Sequence, residues 1–109
     1  MPKREFKRRY LALRLIGGKV LKTALWSSVV DVYLRLYGEY GLSKAGLRLI
    51  EFNENRGVAI ISVNHRSLPY LRAALSLLRE VDGKRVIIQV LGVSGTLKRL
   101  RSKFLKTEG

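Results

Sequence analysis

The sequence predicts a mixed α/β domain, an α+β sandwich, with elements in the order β-α-β-β-α-β and a basic helix appended at the C-terminus. Three observations support this prediction. Apolar and polar residues alternate over short stretches, which is typical of strands. Between these stretches, apolar residues recur every three or four positions, which is typical of helices. Glycine, asparagine and proline mark the places where one pattern changes into the other.

The first strand and the first helix are predicted within residues 9–37. Residues 9–16, "RYLALRLI", place three leucines on one strand face: Leu11, Leu13 and Leu15. After two glycines, residues 19–37 are predicted to form a long helix, because apolar residues recur at helical spacing. Its predicted core stripe consists of Leu21, Leu25, Val29, Val32 and Leu36. The glycine-punctuated residues 38–46 are expected to form an irregular connection with room for one helical turn.

The second half repeats this alternation. Residues 46–52 and 57–65 are predicted strands, joined by the turn "NENR" into an antiparallel hairpin. Ser67 is a candidate N-cap and Pro69 lies in the first turn of a second helix. The apolar face of that helix consists of Leu71, Leu75 and Leu78. Asp82 and Gly83 close it, residues 84–92 form the fourth strand, and a third helix begins near Gly95.

Two split β-α-β units in this order favour a ferredoxin-like or RRM-like plan. We therefore expect a four-stranded antiparallel sheet in the order 4-1-3-2, with both long helices on one face. The 109 residues fit a single domain. Within it, residues 1–8 would be a basic N-terminal arm and residues 94–106 a basic C-terminal helix.

Positive charge is concentrated at the two ends of the chain. The sequence contains 22 Lys and Arg against 8 Asp and Glu, a net charge of +14. Residues 1–10 carry five cations against one acid, and residues 97–106 carry five cations and no acid. Such a density attracts polyanions, most commonly nucleic acid. A merely solvated surface is the alternative, but it usually mixes both signs of charge.

The residues that a protein nuclease needs are missing from the sequence. His65 is the only histidine, and the acids are scattered without paired carboxylates. We expect His65 to be structural or to contact RNA, and we expect no catalytic residue and no bound metal or other cofactor. The absence of cysteine and of a long apolar run favours a soluble cytoplasmic protein without membrane contact.

The predicted sheet also lacks the aromatic residues with which RRM-type domains stack bases. Its third strand has no Phe, Tyr or Trp, and the first offers only Tyr10. The open face instead carries aliphatic side chains, which require a cover. Either a partner protein or the appended helix, through Leu97, Leu100 and Phe104, could supply it.

The first helix has a second apolar stripe, formed by Trp26, Val30, Tyr33 and Tyr37. Two explanations are open. The stripe could pack against the connection at residues 38–46, or it could form a protein interface, where Trp and Tyr are enriched.

The segment "GVSGTLKRLRSKFLK" joins a glycine turn to the basic helix. Ser94 or Thr96 can cap that helix, and its first free amides would face an anion. We expect its basic side to contact phosphate. The predicted RNA-binding residues are Lys3, Arg4, Lys7, Arg8, Arg9, His65, Arg66, Ser94, Thr96, Lys98, Arg99, Arg101 and Lys103.

Three stretches resemble a known family: "RRYLALRL" at residues 8–15, "VNHRSLPYLRAALSLL" at 63–78 and "LGVSGTLKRLRSKFL" at 91–105. They are similar to the archaeal ribonuclease P protein component 2, the counterpart of the eukaryotic Pop-five subunit. The resemblance covers nearly the whole chain, and the third stretch is its most specific part.

The resemblance implies a protein subunit of ribonuclease P, the ribonucleoprotein that removes the 5′ leader from precursor tRNA. It implies that the RNA subunit binds the catalytic Mg²⁺. It also implies a barrel-shaped partner, ribonuclease P protein component 3, in a heterotetramer with two copies of each, together with other ribonuclease P proteins. The rival hypotheses from composition are a ribosomal or general RNA-binding protein, an unaided nuclease and, more weakly, a basic helix on a membrane surface.

Overall fold

The computed structural model describes residues 7–105, and the side chains of residues 7–103. The strands are β1 (Arg8–Ile16), β2 (Arg48–Asn53), β3 (Val58–Asn64), β4 (Glu80–Val81), β5 (Lys84–Arg85) and β6 (Ile87–Ser94). The helices are α1 (Lys22–Ala45), α2 (Leu68–Leu77) and α3 (Leu97–Leu100). A 3-10 turn at His65–Ser67 precedes α2, and a π-helical turn at Arg101–Leu105 follows α3.

The main sheet has four antiparallel strands in the order β2-β3-β1-β6. This confirms the predicted order, with β6 as the fourth strand. The sheet is bulged at Ile50 of β2 and at Leu91 of β6, where the pairing register shifts. Both of these side chains pack into a small cluster with Ala12, Ile60 and Leu100. Because a bulge re-aims a side chain, each edge strand contributes a residue to this second face.

The two faces of the sheet carry separate apolar clusters. α1 and α2 pack on one face, as predicted, over the main core. α3 covers the other face, where Leu100 is fully buried against Ala12 and Ile60. The expectation that the appended helix supplies a cover is therefore confirmed for Leu97 and Leu100. The side chain of Phe104 lies outside the part that the structure describes.

The expected irregular connection at residues 38–46 is wrong. α1 continues through it to Ala45, with one break at Gly38, where φ is 76° and ψ is 179°. Gly46 then ends the helix in the left-handed conformation. The glycines lowered the helix expectation, but Ala45 is fully buried and Leu42 packs against the main core. Burial of these side chains outweighs the weak helix propensity of the glycines.

The core stripe of α1 also differs from the predicted one. Leu25, Val29 and Tyr33 are buried, whereas Leu21 and Leu36 are exposed. The buried residues are spaced four apart, which is slightly more than one helical turn. The buried face therefore rotates around the helix axis and includes Tyr33, whereas Leu36 lies outside it. In α2, by contrast, the predicted Leu71 and Leu75 are buried, and so is the predicted Leu78, which directly follows the helix.

The C-terminal elements have different limits from those predicted. The predicted fourth strand is split at the buried Val86, whose N–H donates to the Arg79 carbonyl over 2.9 Å. Its first part, β5, instead forms a small hairpin with β4. β6 then continues to Ser94, so the helix expected over residues 94–106 begins only at Leu97.

Candidate nucleic-acid interface

The start of β1 lies at one end of the sheet, between the ends of β3 and β6. Arg8 is paired with Asn64 of β3, and Tyr10 is paired with Ser94 of β6. The backbone N–H of His65 donates to the Lys7 carbonyl over 2.9 Å. Three segments that are distant in sequence therefore meet here. We call this region, from Lys7 to Arg9 with the 3-10 turn, α3 and the turn that follows α3, the basic end.

Arg8, at the centre of the basic end, is bonded within the protein. Its Nε donates to the Ser62 hydroxyl over 2.6 Å, and its Nη2 donates to the Gly46 carbonyl. Partial burial lowers the pKa of Arg8, and the nearby Arg48 charge lowers it further. Arg8 thus joins β1, β3 and the end of α1, and only part of its guanidinium remains for an external anion.

Ser94 and Thr96 stabilise the turn that leads into α3. The Ser94 hydroxyl accepts from the Thr96 N–H, and the Thr96 hydroxyl accepts from the Arg99 N–H, both over 3.2 Å. Thr96 is therefore the N-cap, as the sequence allowed. Ser94 is buried. Two of the amides expected to face an anion are occupied by these hydroxyls, so the side chains of α3 are the stronger candidates for phosphate contact.

α3 and the following turn anchor one side and expose the other. Leu100 is buried, and Arg101 forms an ion pair with Glu51 of β2. The remaining cations of the segment, Lys98, Arg99 and Lys103, are exposed and have no ion pair with the described residues. Arg9 lies close to the start of this segment. Its Nη1 would be 3.7 Å from a Cβ atom if Gly95 had one.

Arg66 lies in the 3-10 turn, whose first residue, His65, is bonded to Lys7. Asn64 caps this turn by accepting the Arg66 N–H over 3.1 Å, and Arg66 is exposed. His65 is half-buried and lines a groove beside α1. The structure thus places Lys7, Arg8, Arg9, His65 and Arg66 at one end of the sheet, with Ser94 and the start of α3 next to them, whereas Arg101 reaches across to β2. Lys3 and Arg4 lie outside the described residues.

The predicted protein-interface residues, Trp26, Val30, Tyr33 and Tyr37, do not form one exposed surface. Tyr33 is only 1% exposed and belongs to the main core, so it cannot be presented to a partner. Burial raises the pKa of Tyr33, and a hydrogen bond with the Ser67 side chain opposes this in part. Trp26 and Tyr37 are half-buried against the main core, and Val30 is half-buried between them on the helix. The connection proposed as their cover is helical and lies beside Asn64, which donates to the Lys44 carbonyl.

Three residues near the basic end are not predicted by the sequence pattern. Tyr40, Lys44 and Tyr70 line the same groove as His65. Tyr40 and Lys44 fell in the segment expected to be irregular. The spacing of four between Tyr40 and Lys44 was the available signal, because residues at this spacing share one face of a helix.

Within residues 7–105, no helix has both the length and the apolar character that a membrane crossing requires. In the same part of the chain, no three histidine, aspartate or glutamate side chains lie together in a way that could hold a metal ion.

An RRM-like sandwich whose open face is covered by a short basic helix defines the structural class of the protein. Comparison with known proteins identifies the family. The model of the Rpp14/Pop5 family matches residues 9–105. The chain therefore belongs to the Rpp14/Pop5 family of ribonuclease P protein subunits.

Archaeal relatives extend this match over nearly the whole chain. The chain is 38% identical to the ribonuclease P protein component 2 of Thermococcus kodakarensis over 104 residues, which cover 94% of this chain and 87% of that protein. It is 39% identical to the protein of the same name from Pyrococcus horikoshii, with the same coverage. For that of Methanosarcina mazei the identity is 36%, covering 100% of this chain and 93% of the relative.

A chain in the cryo-EM structure of yeast ribonuclease MRP has the same fold. The TM-score is 0.73, and the alignment covers 99% of this chain and 85% of the yeast chain. The sequence identity is 15%, so this likeness concerns the fold.

Proposed function

We propose that the chain acts as protein component 2 of an archaeal-type ribonuclease P, and that its basic end binds phosphates of the RNA subunit. The observation that carries this proposal is the gathering of cations from distant segments at one end of the sheet. Lys7, Arg9 and Arg66 come from the start of β1 and the 3-10 turn, and the exposed Lys98 and Arg99 of α3 and Lys103 of the following turn come from the C-terminal segment. Membership of the Rpp14/Pop5 family supports ribonuclease P as the ribonucleoprotein in which this surface would act.

The arrangement suits contact with a folded RNA. α3 is held to the sheet by Leu100 and by the pair between Arg101 and Glu51, so its exposed cations project from a fixed base. Each neutralised phosphate releases condensed counterions, which stabilises the bound state. By reducing repulsion between neighbouring RNA segments, the protein would favour the compact form of the RNA subunit.

We place the hydrolysis of the precursor-tRNA phosphodiester on the RNA subunit, with its Mg²⁺. In the protein, the lone His65 is half-buried in a turn, and its backbone N–H is bonded to Lys7. A single imidazole without a second acid or base is poorly suited to cleave RNA. The protein residues would bind and orient the RNA, in the cytoplasm where precursor tRNA is processed.

We further propose that α1 contacts the ribonuclease P protein component 3, in an assembly with two copies of each and with other ribonuclease P proteins. Trp26 supports this, because it is half-buried and lines a hollow with Leu49 that a partner side chain could fill. An alanine change at Trp26 would weaken this association in a pull-down, provided that the variant stays folded.

Reconstitution of precursor-tRNA cleavage tests the proposal. The RNA subunit and component 3 are combined with or without this chain across a range of Mg²⁺ concentrations. The chain should lower the Mg²⁺ required, and the variant Lys98→Ala/Arg99→Ala/Lys103→Ala should raise it again. Unchanged cleavage when the chain is omitted, together with equal binding to unrelated RNAs, would instead indicate a general RNA-binding protein.

A further inference from the structure

A groove of about 930 Å³ lies between the second half of α1 and the 3-10 turn, next to the basic end. Its lining is unusually rich in tyrosine: Tyr33, Tyr37, Tyr40 and Tyr70. The groove adjoins Lys7, whose carbonyl accepts the His65 N–H, and is therefore continuous with the proposed RNA-binding surface. A space of this size can admit a nucleotide.

The inner tyrosines are fixed by contacts within the protein. The ring of Tyr37 lies 4.7 Å from that of Tyr33 and 5.2 Å from that of Tyr70, measured between centroids. The Tyr37 hydroxyl donates to the Tyr70 carbonyl over 3.2 Å. These contacts hold the N-terminal turn of α2 against α1 and form a rigid base for the groove.

Two tyrosines remain open to solvent at the groove. Tyr40 is 76% exposed and Tyr70 is 52% exposed, which is high for aromatic rings in a folded domain. Tyr40 follows the break at Gly38, and the Lys44 ammonium lies 5.0 Å from its ring centroid. Exposed aromatic rings beside cations are the device with which proteins bind unpaired bases.

The charge around the groove has one sign among the described residues. Lys7, Lys44 and Arg66 line it, and no Asp or Glu does so. A ligand of this groove must therefore pack against aromatic rings and also carry negative charge. Single-stranded RNA supplies both complements, a flat base for the rings and a phosphate for the cations.

We propose that this groove binds an unstacked nucleotide of single-stranded RNA, with its base against Tyr40 and Tyr70 and its phosphate near Lys7 and Arg66. The inference rests on the proposed function, because it adds a base-binding site to the phosphate-binding surface. It gives the protein a preference for looped or terminal RNA that cations alone do not provide.

The test compares a short labelled oligouridylate with a blunt RNA duplex of the same length, by fluorescence anisotropy. The variant Tyr40→Ala/Tyr70→Ala removes both exposed rings. Tyr40→Phe/Tyr70→Phe retains the rings and removes only the hydroxyls. The matched control, Leu21→Ala/Ile87→Ala, removes two comparably exposed apolar side chains elsewhere on the chain.

The alanine variant should bind the oligouridylate about tenfold more weakly, as expected for loss of base stacking, with an unchanged salt slope and unchanged duplex binding. The phenylalanine and control variants should bind like the wild type. Equal losses for both RNAs would overturn the inference. Unchanged affinity of the alanine variant for the oligouridylate would also overturn it. If that variant instead bound component 3 more weakly, the groove would be a protein-binding site.

The two proposals fail in different ways. If the wild type binds neither RNA in a salt-dependent manner, the proposed function fails and the groove inference fails with it. If the wild type binds both RNAs and loses affinity when Lys98, Arg99 and Lys103 are replaced, but not when the tyrosines are, only the groove inference fails.

Discussion

Arg101, in the turn after α3, donates from its guanidinium to the carboxylate of Glu51, 50 residues earlier on β2. The segment after β6 therefore crosses the open face of the sheet and reaches the opposite edge, since β6 and β2 are the two edge strands. Together with the burial of Leu100, it fixes the course of the C-terminal segment across the open face. It also removes one cation from the set available to RNA.

Glu51→Gln should therefore strengthen RNA binding. The change removes a negative charge and releases Arg101, so we expect a two- to threefold gain in affinity at low salt that fades as salt screens it. The unfolding free energy should change by less than about 1 kcal/mol, because both partners are about half exposed. Titrations at two salt concentrations and urea unfolding measure the two effects. Weaker RNA binding would contradict this expectation and show that the anchoring of α3 by the pair matters more than the released charge.

Leu100→Ala should destabilise the docked C-terminal segment. Leu100 is fully buried between α3 and the sheet, and truncation of such a leucine costs about 2–5 kcal/mol. Urea unfolding measures the loss, and hydrogen exchange should show faster exchange at residues 97–101. Leu77→Ala, at a half-exposed position on α2, serves as the control and should cost much less. Equal costs for the two variants would contradict the docking of α3.

Arg8→Ala should affect stability more than RNA binding, and Arg9→Ala the reverse. Arg8 bonds Ser62 and Gly46 on different elements, whereas Arg9 bonds only the neighbouring Arg8 carbonyl among the described residues. Loss of the Arg8 bonds should lower the unfolding free energy by about 1–2 kcal/mol. Thermal unfolding and RNA titration of both variants check this. A stable Arg8→Ala protein with a strongly reduced salt slope would reverse the assignment.

Stability should fall above about pH 10, in part because of Tyr33. Burial raises the pKa of Tyr33 in the folded protein, so the unfolded chain loses this proton first as pH rises. The contribution is complete below the unfolded pKa and is lost as pH rises toward the folded pKa. Tyr33→Phe should therefore show a shallower decline than the wild type in urea unfolding between pH 9 and 11. Parallel declines would exclude Tyr33 as a source of this dependence.

The order of the elements was predictable because apolar residues recur every second position in the strands and every third or fourth position in the helices. Turn residues mark the places where one spacing changes to the other. The β-α-β-β-α-β order then leaves few topologies, and the strand order and the helix-covered face follow. The leucines of α2 were placed correctly because Leu71, Leu75 and Leu78 match a single helical face. The cover over the open face was predictable from the excess of aliphatic residues in β3.

The groove and the role of Arg8 were not predictable, because both depend on tertiary contacts. Gly38 and Gly41 weakened the helix pattern, while the burial of Ala45 that sustains the helix is visible only in the fold. Arg8 belongs to a run of cations in which no local feature distinguishes the residue that reaches Gly46, 38 residues away. Tyr33 was assigned to the wrong stripe because the residue after Val29 on the core face could lie three positions on, at Val32, or four positions on, at Tyr33. Only the fold shows that Tyr33 is the buried one.

The salt dependence of binding to the ribonuclease P RNA subunit tests the central claim most directly. Lys98→Ala/Arg99→Ala/Lys103→Ala should reduce the log–log slope by about 2 in magnitude, from three lost phosphate contacts. Lys22→Ala/Arg79→Ala/Arg85→Ala removes the same charge from exposed positions outside the basic end and is the control, for which the slope should stay near that of the wild type. Equal changes of slope in the two variants would show that net charge alone drives binding, and would contradict a defined RNA-binding surface at the basic end.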